Sequence, residues 1–129
     1  MPQNYTLNAN MSMTATSATG YSQSQSGSYT LNITGVDQIE TGRKDVTHDS
    51  DVTIMAAPGH GRFVYIKNLD DTNFVKIYDG ASSAGDYIGI LKPGEFLMTV
   101  IRGTGTTVAL ADTATVTVEY AAVEIDSNA

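Results

Sequence analysis

Cysteine, tryptophan and long apolar runs are all absent from this chain of 129 residues. Without cysteine the chain can form neither disulfides nor thiolate metal sites. No apolar run is long enough for a membrane-spanning helix. A secretory signal is not predicted, because the sequence does not open with basic residues followed by an apolar segment. These absences favour a chain that is synthesised in the cytoplasm and has no membrane partner, and they leave later exposure outside a cell open.

Basic residues are scarce, because 7 Lys and Arg stand against 14 Asp and Glu and give a net charge of −7. Binding to nucleic-acid phosphates needs clustered Lys and Arg, so a direct nucleic-acid partner is not expected. No charged side chain occurs before Asp37. This boundary predicts two parts, an uncharged arm over residues 1–35 that is rich in Ser, Thr, Asn and Gln, and one ordinary domain over residues 36–129.

The arm begins with a strictly alternating segment, Asn4 to Ala15, in which apolar residues occupy every second position. Period two predicts a half-buried strand. The Ser-, Gln- and Gly-rich composition of 16–28 predicts a flexible loop, and residues 28–34 alternate again. The alternative is that the whole arm is polar low-complexity sequence without stable structure.

Energetics predict that the arm needs a partner, either in its own domain or in a neighbouring chain. Each buried apolar side chain contributes ~1.5–3 kcal/mol, whereas fixing each backbone residue costs ~1–2 kcal/mol. An uncharged strand edge is also prone to aggregation. We therefore expect residues 4–15 to pair with a strand of another protein chain. This chain is either a sister subunit in a homo-oligomer, with a trimer as the first expectation, or part of a capsid surface. The apolar residues expected at this interface are Tyr5, Leu7, Met11, Met13, Tyr29 and Leu31.

The region from Arg62 to Arg102 contains four runs rich in β-branched and aromatic residues, separated by turn-forming clusters. This pattern predicts an antiparallel meander. Lys92-Pro93-Gly94 suits a type II turn, with Pro presetting φ and Gly accepting a positive φ. The four predicted strands are Phe63–Ile66, Phe74–Tyr78, Tyr87–Leu91 and Phe96–Ile101.

Two more strands are expected at Thr107–Ala111 and Ala114–Ile125, and a turn is expected at 41–45. In the last strand the apolar residues change from even to odd positions at Ala121-Ala122, and this change predicts a β-bulge. No segment sustains a helical period. The expected fold is an all-β antiparallel β-sandwich, jelly-roll-like, with an extended N-terminal β-arm. Its expected core residues are Val64, Ile66, Val75, Ile77, Ile88, Ile90, Val116 and Val118.

Residues capable of chemistry are few and dispersed. The segment 48–51 carries His48 with two Asp residues, and 70–73 carries oxygen ligands that a hard cation such as calcium could use. Both segments also suit surface turns, since Asp and Asn are common turn residues. No nucleophile–base pair or phosphate-binding loop is evident. The sequence therefore predicts no catalytic site, no cofactor and no metal.

Three stretches carry a family resemblance: Phe63-Val-Tyr-Ile-Lys-Asn-Leu-Asp-Asp-Thr-Asn-Phe-Val-Lys-Ile, Ile90-Leu-Lys-Pro-Gly-Glu-Phe, and Ala114-Thr-Val-Thr-Val-Glu-Tyr. In this order they resemble a group of small structural proteins of tailed-phage virions. The resemblance covers about residues 36–125 and is strongest over 62–97. It implies a non-enzymatic β-sandwich, jelly-roll-like component of a phage particle, located in the virion.

Three roles are compatible with this resemblance. The chain could be a capsid decoration (cement) protein that binds the head surface and bridges major-capsid subunits. It could instead be a tail or fibre component or a head–tail connector, or a carbohydrate-binding module for host attachment. An acidic compact domain with an extra β-arm and no evident aromatic platform favours decoration, with the major capsid protein or other virion proteins as partners.

Overall fold

Alternating sequence patterns become strands throughout the computed structural model, which describes residues 5–33, 39–55, 61–84, 87–101 and 106–125. These residues contain no α-helix, only a short 3-10 turn at Ser82–Ala84, so the all-β prediction is confirmed. The strands are β1 (Tyr5–Thr16), β2 (Ser22–Ile33), β3 (Ile39–Val46), β4 (Val52–Met55), β5 (Gly61–Asn68), β6 (Val75–Asp79), β7 (Tyr87–Leu91), β8 (Phe96–Ile101), β9 (Thr107–Ala111) and β10 (Val116–Ile125).

The described strands form three antiparallel sheets. β1 and β2 form a two-stranded hairpin, the first sheet has the order β3-β10-β5-β8, and the second has the order β4-β9-β6-β7. The predicted meander is wrong, because β5 and β6 lie in different sheets, as do β7 and β8. The boundary predicted between residues 35 and 36 falls within 34–38, outside the described residues.

The core lies between the first and second sheets and confirms most of the predicted inward residues. Six of them are fully buried: Val64, Ile66, Val75, Ile77, Val116 and Val118. Ile88 is half-buried and packs against this core, whereas Ile90 is 44 % exposed, so its predicted core position is wrong. The register between β6 and β7 shifts by one residue between Ile77 and Tyr78. Ile90 pairs with Lys76 on the outer face, whereas Leu91 pairs with Val75 and is buried.

A fully buried asparagine, Asn68, holds the point where the chain leaves the first sheet for the second. Its Nδ2 donates to the carbonyl oxygens of Asn73 and Leu91, both at 2.9 Å, and its Oδ1 accepts from the amide of Asp70 at 2.8 Å. Its backbone carbonyl accepts from the amide of Gly94 at 3.0 Å. One side chain therefore joins the turn at 69–74 to the end of β7, and its buried polar atoms are all paired.

The Lys92-Pro93-Gly94 turn is confirmed. The amide of Glu95 donates to the carbonyl of Lys92 at 3.0 Å, and Gly94 has a φ of 82°, as a type II turn requires. This φ favours glycine because an L side chain there is strained. The polar motifs at the two turns are thus explained by one structural junction.

Two local predictions are wrong. The turn expected at 41–45 is part of β3, which pairs with β10 from Ile39 to Val46. The bulge expected at Ala121-Ala122 is absent, because β10 pairs with β5 in continuous register from Val118 to Ile125. Ala122 points into the core and Val123 to the outer face, beside Phe63. The parity switch arises because the outer face of the first sheet is itself apolar at this end.

Arg62 is a fully buried cation at the start of β5. Its Nε donates to Thr107 Oγ1 at 2.8 Å, and its guanidinium pairs with Asp79 at 2.6 Å. Because Thr107 and Asp79 belong to the second sheet, this pairing links both sheets at one end of the sandwich. An unpaired charge at this depth would be strongly destabilising, so we assign Arg62 a structural role.

Candidate functional site

The N-terminal hairpin has two chemically distinct faces. β1 and β2 pair from Tyr5↔Ile33 to Thr16↔Ser22 without a register shift. One face carries the alternating apolar residues of β1, including Leu7, Met11 and Met13. The other carries only Thr, Asn and Ser, with Thr30 Oγ1 donating to Asn8 Oδ1 at 3.1 Å. The predicted strand is therefore present, and its ladder partner is β2 of the same chain. The predicted burial of one face holds at Leu7 and Ala9 and is wrong from Met11 onward, where the apolar residues are exposed.

The flexible loop predicted over 16–28 is wrong for most of its length. Residues 22–28 belong to β2, and the turn is confined to 17–21, where the Ser17 amide donates to the Tyr21 carbonyl at 2.7 Å. The Ser- and Gln-rich composition does not prevent strand formation, because the ladder bonds are made by the backbone. The disordered alternative is likewise contradicted over residues 5–33.

The base of the hairpin packs on the outer face of the first sheet. Ala9 and Phe63 are buried against each other, with Leu7, Tyr29 and Met98 packed around them. The Tyr29 and Phe63 rings are stacked, with centroids 6.2 Å apart and planes 15° apart. This small second core, separate from the one inside the sandwich, fixes where the hairpin leaves the domain.

Beyond this base the hairpin projects into solvent. Every residue from 10 to 28 is exposed, including Met11 at 38 %, Met13 at 65 % and Tyr21 at 67 %. Met11 pairs with Gly27, which carries no side chain to cover it. Met11, Met13 and Ala15 thus share an exposed, uncharged face with Gln25 and Gln23, their neighbours on β2. This face is about six residue pairs long, or ~20 Å at ~3.3 Å per residue.

A groove of about 320 Å³ opens where the projecting hairpin meets edge strand β8. The hairpin contributes Met11, Gly27 and Tyr29 to its lining, and the sandwich contributes Phe63 and residues 98–100. Ala9 and Ser28 complete the lining. None of these lining residues carries a charge, and the groove lies on the same face of the hairpin as Met11 and Met13.

The outer side of β8 extends this apolar surface. Val100 is 36 % exposed and Phe96 is 49 % exposed, and Phe96 lies 6.1 Å from the Tyr65 ring. The Tyr65 hydroxyl donates to Glu119 Oε2 at 3.0 Å. Burial raises the pKa of Tyr65 above its ordinary value, and the hydrogen bond and negative charge of Glu119 raise it further. Tyr65 therefore stays neutral, and its ring packs beside that of Phe96 on the outer face of the sheet.

The predicted interface residues fall into three groups. Leu7 and Tyr29 are half-buried in the base, and Met11 and Met13 are exposed on the projecting half. Tyr5 and Leu31 lie within the paired strands, and their side chains are outside the described residues.

Sequence reasoning missed the outward residues of the sandwich that complete this surface, Phe63, Met98 and Val100. The sequence does indicate these outward residues, because the runs at 61–68 and 96–101 carry apolar residues at both odd and even positions. Antiparallel strands with one solvated face alternate apolar and polar residues, so apolar residues at both odd and even positions indicate an outer face that is at least partly covered.

The two polar clusters noted in the sequence are turns. Asp70 Oδ2 accepts hydrogen bonds from the backbone amides of Asn73 at 2.6 Å and Thr72 at 3.0 Å. These two bonds lower the pKa of Asp70, and the bond from Asn73 has the larger effect. Residues 48–50 form an exposed bend, and Asp51 accepts the Ser82 amide at 3.0 Å. Within the described ranges, no three His, Asp or Glu residues lie close enough together to hold a metal ion.

No helix in the described part of the chain is long and apolar enough to cross a membrane. Comparison with models of protein families, with curated protein sequences and with solved structures finds no match. The function is therefore inferred from the hairpin, the groove beside it and the sequence motifs.

Proposed function

We propose that this chain is a non-enzymatic structural protein of a tailed-phage virion, a capsid decoration protein that binds the head surface and bridges major-capsid subunits. The uncharged hairpin is the element with which it contacts neighbouring protein. One observation carries this assignment: residues 10–28 are all exposed and uncharged, yet include Met11 and Met13 on one face. No residue of the hairpin belongs to the inner core of the sandwich, so its projecting half is available for contact.

The architecture supports the proposal. Strands β3 to β10 alternate between two sheets of the orders β3-β10-β5-β8 and β4-β9-β6-β7, except that the consecutive strands β6 and β7 share the second sheet. We propose that this arrangement is a jelly roll of two Greek keys. Jelly rolls occur in viral capsid and lectin domains. Since a fold hosts many functions, the exposed hairpin and the resemblance of the turn motifs to tailed-phage virion proteins carry the functional part.

The turn motifs themselves belong to the scaffold. Asn68, Asp70 and Gly94 each make hydrogen bonds that hold the crossover between sheets. A virion protein with these motifs keeps one rigid sandwich while its hairpin meets the particle. Surface binding by a small module also needs no catalytic group, in keeping with the dispersed polar residues described above.

Add-back to particles tests the proposal. Particles are prepared from a phage whose copy of this gene carries an early stop codon, and purified full-length chain is added and located by gold-labelled antibody in electron micrographs. We expect label distributed over the heads, saturating at a fixed number of chains per head. Label confined to tails or fibres, or particles without label at saturating chain, would overturn the decoration role.

A further inference from the structure

We propose that the edge strand β8 (Phe96–Ile101) receives an extended segment of a basic partner protein, which adds to the first sheet as a further strand. This segment carries apolar residues at alternate positions and Lys or Arg at its ends. The inference rests on the proposed function only for the location of the partner, in the virion. The chemistry of the partner follows from β8, the groove beside it and the charge of the chain.

Four strands form the edges of the sandwich, and three of them carry features that hinder pairing with a further strand. β3 contains charged residues and a glycine, Gly42, with a φ of 145°. β4 has only four residues, and its register with β9 shifts. The register of β7 with β6 shifts as well. Charge, shortness and irregular register are means by which proteins protect sheet edges from other chains.

β8 lacks all three kinds of protection. Its sequence, Phe-Leu-Met-Thr-Val-Ile, contains no charged residue and no proline. It pairs with β5 over its whole length without a register shift. The hairpin strands are uncharged too, but polar residues occupy at least every second position on them. β8 is therefore the apolar, unprotected edge at which pairing with another chain is expected.

The hydrogen bonds at the start of β8 indicate which of its backbone groups face the open edge. The Asn68 amide donates to the Glu95 carbonyl at 2.9 Å, so the ladder between β5 and β8 begins with a bonded pair. Bonded and non-bonded pairs alternate along an antiparallel ladder, which makes Leu97 and Thr99 the next bonded residues. The amides and carbonyls that point away from β5 are therefore those of Phe96, Met98 and Val100. Another β-strand presents donors and acceptors at the same spacing.

The groove beside β8 determines which side chains an added strand can carry. Residues 98–100 line this groove together with Phe63, and none of its lining residues is charged. An added strand places every second side chain on the face that carries Met98 and Val100. A charged side chain buried at this position would have no partner among the lining residues. The partner segment therefore carries apolar residues on this face.

Net charge selects the partner chain. The chain carries a net charge of −7, which repels a second copy of itself and attracts a basic protein. Complementary charge across an interface speeds association and suppresses binding of wrong partners. Lys or Arg therefore flank the apolar segment, where they remain in water while the backbones pair.

Exchange of single amides with solvent, measured by NMR on the full-length chain, gives the first test. The probe is a synthetic peptide with blocked ends, Lys-Val-Thr-Val-Thr-Val-Thr-Lys. Without peptide we expect the amides of Phe96, Met98 and Val100 to exchange faster than those of Leu97 and Thr99. Peptide at ten times its dissociation constant should slow the first three by about tenfold. No slowing up to the solubility limit of the peptide would overturn the inference.

Two control peptides separate backbone pairing from charge. A peptide with proline at its two central positions cannot complete the ladder, and we expect it to slow none of these amides. A peptide with glutamate in place of both lysines keeps the strand, and we expect it to bind at least about threefold more weakly at low salt. Equal slowing by the proline peptide would refute strand addition, and equal binding of the glutamate peptide would refute a basic partner.

Val100→Pro and Val100→Ala test the edge itself. Both remove the valine side chain, but only proline also removes the amide that faces the open edge. Proline is tolerated at such positions of an edge strand, and we expect Val100→Pro to bind the lysine peptide about fivefold more weakly than Val100→Ala. Equal binding by the two variants would contradict pairing through β8. Phe96→Pro and Phe96→Ala repeat the comparison at the first residue of the strand if Val100→Pro does not fold.

The peptide measurements use the isolated chain, so their outcome does not depend on where the chain lies in a particle. The add-back experiment determines that location separately. Peptide binding without labelled heads would overturn the decoration role alone. Labelled heads without peptide binding would overturn the inference about β8 alone.

Discussion

The Tyr29 ring stacks on the Phe63 ring at a centroid distance of 6.2 Å, and this contact anchors the uncharged hairpin on the acidic sandwich. Aromatic pairs contribute ~0.5–1.5 kcal/mol beyond their area burial. The hairpin is therefore held at its base by a small apolar cluster, while its projecting half has no contact of this kind among the described residues.

Removing the stacked ring should release the hairpin without unfolding the sandwich. We expect Tyr29→Ala to speed amide hydrogen exchange in β1 and β2 and to leave exchange in β6 and β9 unchanged, because these strands belong to the second sheet and the inner core contains no hairpin residue. Hydrogen-exchange mass spectrometry measures both. Tyr21→Ala is the control, since Tyr21 is 67 % exposed in the hairpin turn; similar acceleration by both variants would show that the base is not an anchor.

The sandwich core can be tested with two isoleucines. Ile77 is fully buried, and Ile77→Ala should lower the free energy of unfolding by ~2–5 kcal/mol through lost burial and a residual cavity. Ile90 is 44 % exposed, and Ile90→Ala should cost less than ~1 kcal/mol. Urea denaturation followed by circular dichroism measures both. Equal losses would show that the register shift in β7 is misplaced.

The buried amide of Asn68 is expected to be essential to the crossover between sheets. Asn68→Ala leaves the carbonyls of Asn73 and Leu91 without this donor, and each buried unpaired group costs ~1–3 kcal/mol. We expect a loss of ~2–6 kcal/mol in unfolding free energy, summed over these two groups. Asn10→Ala, at an exposed hairpin position, is the control. A loss at Asn68 no larger than at Asn10 would refute the junction.

Asp70 should make stability depend on pH in the acid range. Its pKa is lowered by the amides of Asn73 and Thr72, so it lies below the unfolded-state value of ~3.9. The stabilisation is therefore present above about pH 4 and is lost as the pH falls through the folded pKa. We expect Asp70→Asn to be less stable than the natural chain at neutral pH, with a difference that shrinks in acid.

Thermal unfolding at a series of pH values checks this prediction. Asp49→Asn is the matched control, because Asp49 lies in an exposed bend. A difference between the natural chain and Asp70→Asn that stays constant down to pH 2 would contradict the proposed cause.

Local sequence determined most of the strands and the type II turn, but not β2 or β3. Period-two alternation predicted a strand over Asn4 to Ala15, and turn-forming residues placed the boundaries of β7, β8 and β9 as the structure has them. The type II turn at Lys92–Glu95 followed from Pro and Gly alone. These features depend on backbone preferences within a few residues, and a linear pattern carries that information. The uncharged character of the hairpin was likewise fixed by sequence.

Tertiary structure decided which strands pair and what each face meets. Nothing local in β5 and β6 indicates that they enter different sheets, since that depends on the junction at Asn68 and on partners far along the chain. A one-residue register shift turned Ile90 outward and Leu91 inward, because successive side chains in a strand point to opposite faces. Pairing with β1 made a strand of the polar residues 22–28, and the hairpin packs on the apolar outer face at Phe63 and Met98.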